Sequence, residues 1–146
     1  ASTTHGDAYR SKVWKVRRPI LANQGPEVYG DMTSLMLYPP RWIAENADKL
    51  EKQQAGQVAM LAPVQVMTSR IEAVQAFDRR HELHKIETPV QVICARDDQQ
   101  TPIYFSEAIA EGIPDAEFRI IEYGGHACSR TVPDEFNAIV TDFLER

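Results

Sequence analysis

Residues 89–102 have the sequence PVQVICARDDQQTP, and residues 118–128 have the sequence FRIIEYGGHAC. In each stretch a short apolar run leads directly into polar residues or glycines, which is typical of a buried strand followed by a loop. The residues between the stretches have helical spacing, and residues 133–144 predict an amphipathic helix that begins with Pro133. The pattern predicts a βαβα unit whose two strands are parallel and joined by a right-handed crossover.

The sequence before this unit predicts helices and almost no strand. Apolar residues recur at helical spacing in four segments, and proline or glycine separates most of them. The segments cover residues 7–23, 26–37, 42–50 and 58–77, and the last of these predicts a long helical segment that could begin at Pro63. We therefore predict an α/β protein with a helical region over residues 1–80 and a βαβα region over residues 81–146.

Composition narrows the classes of function. The chain has 146 residues, a formal net charge of −5 and 43% hydrophobic residues, which suits one folded domain. An acidic chain lacks the basic face that phosphate contacts require, and no apolar run approaches the ~20 residues of a membrane span. We therefore expect a cytoplasmic protein that binds neither nucleic acid nor a membrane. The sequence has no phosphate-binding loop, dinucleotide fingerprint or metal-ligand motif, so no cofactor and no metal are expected.

A parallel sheet of only two strands raises a physical problem. Parallel sheets normally have more strands and are covered on both faces, and an open strand edge is a template for pairing with another chain. We therefore expect the sheet to be completed by a partner, either the N-terminal half of a longer protein or a second copy of the chain.

The candidate catalytic residues follow the two predicted strands. The carboxyl ends of neighbouring parallel strands lie at the same edge of a sheet, so an aspartate after the first strand could reach His126 after the second. A carboxylate fixes the tautomer of such a histidine and stabilises its charged form, while the histidine transfers protons. Asp97 and Asp98 are the candidate carboxylates, and this pairing predicts an enzyme.

These residues resemble the C-terminal end of the α/β-hydrolase superfamily. Ala95, Asp98 and Pro102 match the superfamily's small-x-x-Asp-x-x-x-Pro loop, and Gly125-His126 matches its Gly-His turn. The resemblance implies that Asp98 is the triad acid and His126 the catalytic histidine, with Asp97 at the rim of the loop. The reverse assignment of the two aspartates stays open.

Further segments narrow the resemblance. They are residues 37–42 (LYPPRW), 89–95 (PVQVICA), 123–128 (YGGHAC) and 133–138 (PDEFNA). With them the chain is similar to the aminoacrylate hydrolases of the Rut pyrimidine-degradation pathway. The enol-lactone hydrolases of aromatic degradation are the group that it resembles next. The resemblance implies that residues 1–80 are a helical cap that covers an active site. It also implies a parent enzyme that hydrolyses a small carbonyl, ester or amide-like substrate such as aminoacrylate.

The nucleophile of such an enzyme is missing from the sequence, which contains no Gly-x-Ser-x-Gly motif. Ser129 and Cys128 are too close to His126 in sequence, Cys94 is expected inside a strand, and Ser106 is expected to be solvated. We therefore expect the C-terminal half of a longer hydrolase, inactive by itself. The alternative is a non-catalytic subunit that dimerises through its open sheet edge or by exchanging caps.

Two further patterns are interpreted as structural. His81 and His84 are three residues apart rather than the four of a helical zinc motif, so they do not indicate a metal site. Arg17 and Arg18 are expected on a solvated helix face rather than at a binding site.

Overall fold

The computed structural model describes residues 2–146, and its helices and strands follow the predicted order. The helices before the sheet are α1 (Ala8–Asn23), α2 (Gly25–Leu37), α3 (Pro40–Glu45), α4 (Ala47–Ala59) and α5 (Val64–Ala76), followed by a 3₁₀ helix (Arg80–Lys85). The remaining elements are β1 (Gln91–Ala95), α6 (Ile103–Gly112), β2 (Glu117–Ile121), α7 (Cys128–Thr131) and α8 (Pro133–Leu144). No helix within residues 2–146 is long and apolar enough to cross a membrane.

The chain forms two compact units. One contains the βαβα region, residues Arg79–Arg146, together with Met36–Pro39 and the N-terminal residues up to Thr4. The other contains residues His5–Leu35 and Pro40–Asp78. The short segment Met36–Pro39 therefore packs with the βαβα region, although it follows a helix in the sequence. The functional division into a cap and a core at residue 80 stays a prediction.

The parallel pairing of the two strands is confirmed. β1 and β2 pair in parallel, with Gln91 opposite Glu117 and Ala95 opposite Ile121. The crossover helix α6 packs against β1, and Phe105 on this helix is fully buried. The other apolar contacts are made by Ala95, Ile121 and Cys128 with residues of α8. Burial of this apolar surface is the main source of stability for the unit.

The helical unit has its own core. The Asp7 side chain accepts a hydrogen bond from the backbone N–H of Arg10 at 2.7 Å, which satisfies a free donor at the start of α1. The buried residues of this core come from α1, α2 and α5. They are Trp14, Leu21, Tyr29 and Ile71.

The long helical segment predicted over residues 58–77 is divided in the structure. Helix α4 ends at Ala59 and α5 begins at Val64, so residues 60–63 separate them. Pro63 has an extended backbone with ψ of 146°, and a proline also disfavours helical geometry at the residue before it. Helix α5 therefore begins directly after Pro63, as the sequence suggested, whereas residues 58 and 59 belong to α4.

The prediction that Arg17 is solvated is wrong. Its guanidinium donates hydrogen bonds to the Tyr29 hydroxyl at 3.0 Å and to the Thr33 hydroxyl at 2.9 Å. It also lies 4.9 Å from the centre of the Trp14 ring. These hydrogen bonds and the cation–π contact compensate for lost hydration, which is why the residue is only 5% exposed.

Replacement of Phe105 by Ala should destabilise the chain by about 3–5 kcal/mol, because a fully buried aromatic ring leaves a cavity when it is removed. The free energy of unfolding in urea measures this loss. The matched control is Glu111→Ala, an exposed position on the same helix, which should change the stability by about 0.5 kcal/mol or less. Equal effects of the two substitutions would contradict the burial of Phe105.

Candidate active site

The parallel register brings two loops to one edge of the sheet. Ala95 ends β1 opposite Ile121, which ends β2, and the N–H of Arg96 extends this pairing by donating to the Ile121 carbonyl at 2.8 Å. The loop after β1 carries Asp98 and the loop after β2 carries His126. The structure brings these two predicted residues together: His126 Nδ1 lies 2.9 Å from Asp98 Oδ2.

Asp98 is held by several donors. Its Oδ1 accepts the backbone N–H groups of Gln100 and Thr101, both at 2.8 Å, and its Oδ2 accepts the Thr101 hydroxyl at 2.9 Å. Burial of the carboxyl by itself raises its pKa, but the hydrogen bonds from His126 and Thr101 outweigh burial and lower the pKa of Asp98 below its ordinary value. Asp98 is therefore a buried, ionised carboxylate.

The hydrogen bond fixes the protonation of His126. An ionised carboxylate only accepts hydrogen bonds, so Nδ1 must carry the proton that points at Asp98. In the neutral imidazole, Nε2 then carries a lone pair and can accept a proton from another group. The side chain of His126 is 26% exposed, whereas that of Asp98 is 0% exposed. Solvent or a substrate can therefore reach the imidazole but not the carboxylate.

Asp97 has a different set of contacts. Its Oδ1 accepts the backbone N–H groups of Gly124 and Gly125 at 3.0 Å and 2.8 Å. The structure thus places Asp98 on the imidazole and Asp97 on the backbone that precedes it. The geometry favours Asp98 over Asp97 as the partner of His126.

The glycine turn before His126 depends on the absence of side chains. Gly125 has a φ of +64°, and a Cβ atom there would lie 2.8 Å from the Leu37 carbonyl oxygen. The same carbonyl accepts the N–H of Ala127 at 3.1 Å. A larger residue at Gly125 would therefore force apart the histidine loop and residues Met36–Pro39, which belong to the same unit.

Other reactive side chains are buried. Cys94 and Cys128 are 0% and 2% exposed, and burial raises the pKa of both thiols, so neither is a ready thiolate. The expectation that Ser106 is solvated is wrong: it is fully buried on α6, which packs against β1. Among residues 2–146, no group of three His, Cys, Asp or Glu side chains could hold a metal ion.

Thr101 is the site residue that sequence reasoning missed. Its hydroxyl contacts both members of the pair, at 2.9 Å from Asp98 Oδ2 and 3.2 Å from His126 Nδ1. A signal was present, because an aspartate often accepts hydrogen bonds from groups two or three residues later in a turn. Only the folded loop shows that the same hydroxyl also faces the imidazole.

Solved structures of known proteins share this fold. An α/β-hydrolase from a deep-sea metagenome matches 99% of the chain with a TM-score of 0.86 at 21% identity, over 54% of its own length. The enol-lactonase of Burkholderia xenovorans matches 92% of the chain with a TM-score of 0.80 at 21% identity, over 51% of its length. The fold of this chain is therefore part of an α/β-hydrolase fold.

Relatives in sequence indicate which α/β-hydrolases this chain is similar to, although no family model matches the chain. A protein named carbamate hydrolase RutD from Azorhizobium caulinodans is 43% identical over 137 residues, which are 94% of this chain and 52% of that protein. A protein of the same name from Stutzerimonas stutzeri is 38% identical over 136 residues, 93% of this chain and 51% of that protein. The chain spans about half the length of these relatives. The predicted resemblance to the α/β-hydrolase superfamily, and within it to the Rut hydrolases, is confirmed.

Replacement of Thr101 by Val should destabilise the chain by about 1.5–3 kcal/mol at neutral pH, because the buried Asp98 carboxylate loses one of its hydrogen bonds. The pKa of Asp98 is lower in the folded chain than in the unfolded chain, so its ionisation stabilises the folded chain above the ordinary value of 3.8. This contribution is lost as the pH falls through the folded pKa. The defect of Thr101→Val should therefore shrink in acid.

The measurement is urea unfolding at a series of pH values. Thr101→Ser is the matched control, because it keeps the hydroxyl and loses only a methyl group. Its smaller defect should be the same at every pH. A defect of Thr101→Val that does not change with pH would show that the hydroxyl does not act on the charge of Asp98.

Proposed function

We propose that this chain supplies the acid and the histidine of a hydrolase catalytic triad, and that the nucleophile is supplied by the other half of the parent protein. The observation that carries the proposal is the 2.9 Å hydrogen bond between His126 Nδ1 and the buried carboxylate of Asp98. The lowered pKa of Asp98 supports it, because an ionised acid holds the histidine in the tautomer that a general base needs.

His126 acts as a general base and then as a general acid. Its Nε2 takes a proton from the attacking hydroxyl, thiol or water as that group adds to the substrate carbonyl, and returns the proton to the leaving group. Asp98 stays ionised and stabilises the imidazolium that forms between these steps. Neither residue stabilises the oxyanion of the intermediate, so this chain by itself should be inactive or nearly so.

The proposed substrate is a small molecule with a hydrolysable carbonyl group. The name of the relatives points to a carbamate, and the sequence resemblance points to aminoacrylate. An enol-lactone is the alternative, since an enol-lactonase shares the fold. A carbamate and a lactone are attacked at the carbonyl carbon, whereas aminoacrylate is attacked at the C=N carbon of its imine tautomer and releases ammonia. In each case His126 would take a proton from the attacking group and return one to the leaving group. No cofactor enters this chemistry, and the predicted cytoplasmic location stays a prediction.

Complementation tests the proposal. The chain alone should hydrolyse p-nitrophenyl acetate at the background rate. Mixed or co-expressed with the part of the Azorhizobium relative that this chain does not span, it should give turnover, and His126→Ala should reduce that turnover about 10²–10⁴-fold. Comparing a carbamate, aminoacrylate and an enol-lactone in the same assay would then separate the substrate classes.

The matched control is His84→Ala, which removes an exposed histidine of the same unit and should leave the rate unchanged. Turnover by the chain alone that survives His126→Ala would overturn the proposal. Turnover of the complemented protein that survives the same substitution would overturn the role of His126.

A second candidate function follows from the sheet. Within residues 2–146 the sheet has only the strands β1 and β2, so each strand has one edge without a strand partner. An open edge favours pairing with another chain, which supports an interaction module that forms a homodimer.

Light scattering over a wide concentration range tests this alternative. A homodimer should dissociate on dilution, and its mass should fall from twice the chain mass of 16.5 kDa towards that mass. A single monomeric species at every concentration would contradict it. The complementing half should replace the second copy if the same edge serves both partners.

A further inference from the structure

Asp97 is a charged residue that the proposed triad does not use. It follows Arg96 directly after β1, next to Asp98, yet its contacts are all to the other loop. Its Oδ1 accepts two consecutive backbone N–H groups, from Gly124 at 3.0 Å and from Gly125 at 2.8 Å. Hydrogen bonds to an ionised acceptor are stronger than those between neutral groups, so this contact restrains the turn firmly.

The turn that Asp97 holds has little rigidity of its own. Gly124 and Gly125 have φ values of +150° and +64°, and glycine populates many other backbone conformations. Fixing one of these conformations costs entropy, which the hydrogen bonds to Asp97 offset. His126 follows this turn directly, so the conformation of the glycines sets where its imidazole lies.

The backbone is fixed on both sides of His126. Before it, Gly125 donates to Asp97; after it, Ala127 donates to the Leu37 carbonyl at 3.1 Å. The Thr131 hydroxyl also donates to the Gly124 carbonyl at 2.7 Å. Among these restraints, the carboxylate of Asp97 is the one that holds two N–H groups at once.

We propose that Asp97 is a positioning residue for His126, because its carboxylate holds the glycine turn in the conformation that places the imidazole on Asp98. The two neighbouring aspartates thus have different roles: Asp98 binds the imidazole, and Asp97 fixes the backbone that precedes it. The catalytic consequence rests on the proposed function, whereas the effect on the hydrogen bond between His126 and Asp98 does not.

The test reads that hydrogen bond directly, by NMR of the whole chain. A histidine Nδ1–H that donates to a carboxylate gives a strongly deshielded proton resonance, and Asp98→Asn identifies it by shifting it. Asp97→Ala should move this resonance upfield and broaden it, because the imidazole loses its fixed place. Asp97→Asn keeps an oxygen acceptor and should largely restore it. The exposed Glu111→Ala is the control.

A role of Asp97 in stability alone would lower the melting temperature and leave the resonance in place. A folded Asp97→Ala variant with the wild-type resonance would therefore overturn the proposal. Should Asp97→Ala fail to fold, Asp97→Glu gives the same answer, since it keeps the charge and displaces the oxygen by one methylene. Asp97→Glu should perturb the resonance, and a wild-type signal there would overturn the proposal.

Turnover gives a separate readout in the complemented hydrolase. A misplacement of about 1 Å costs about 10²-fold in rate, so Asp97→Ala should lower kcat by that order and change KM little. If the complemented protein shows no turnover at all, the proposed function fails while the NMR result still decides the role of Asp97.

Discussion

The parallel register of β1 and β2 is the constraint on which the candidate site depends. Ala95 lies opposite Ile121, so the loops that follow both strands leave the sheet side by side. A shift of one residue would turn every side chain of a strand to the other face and would separate the loops. The buried contacts of Ile121 and Phe105 hold this register. Packing in the sheet and chemistry at its edge are therefore coupled.

At that edge, hydrogen bonds determine the electrostatics. Burial opposes the ionisation of Asp98, and the donors around it reverse that effect. The result is a charged group shielded from water beside an imidazole that solvent can reach. A charge in such a place interacts strongly with its neighbour, because little water screens it. The buried carboxylate and the accessible imidazole are the arrangement on which the proposed function rests.

Much of the fold could be predicted from local patterns. The terminal helix α8 begins at Pro133 and ends at Leu144, as its apolar spacing predicts, and both strands lie within two residues of their predicted positions. The helical segment predicted over residues 58–77 is interrupted before Pro63, because a proline disfavours helical geometry at the residue before it. The prediction that Arg17 is solvated was wrong because Tyr29 and Thr33, which accept its hydrogen bonds, come from another helix.

The sequence by itself determined the order of the elements and the parallel pairing, because periodicity and prolines are local properties of the chain. It also offered His126 and two candidate aspartates, and the preference for Asp98 came from the resemblance of its loop to the α/β-hydrolases. The tertiary structure decided the rest. Thr101 gained its contact with His126, and Asp97 its hydrogen bonds to the glycine turn, only when β1 and β2 brought their loops together. Contacts between residues about 25 positions apart depend on the register of the sheet, and no local pattern encodes them.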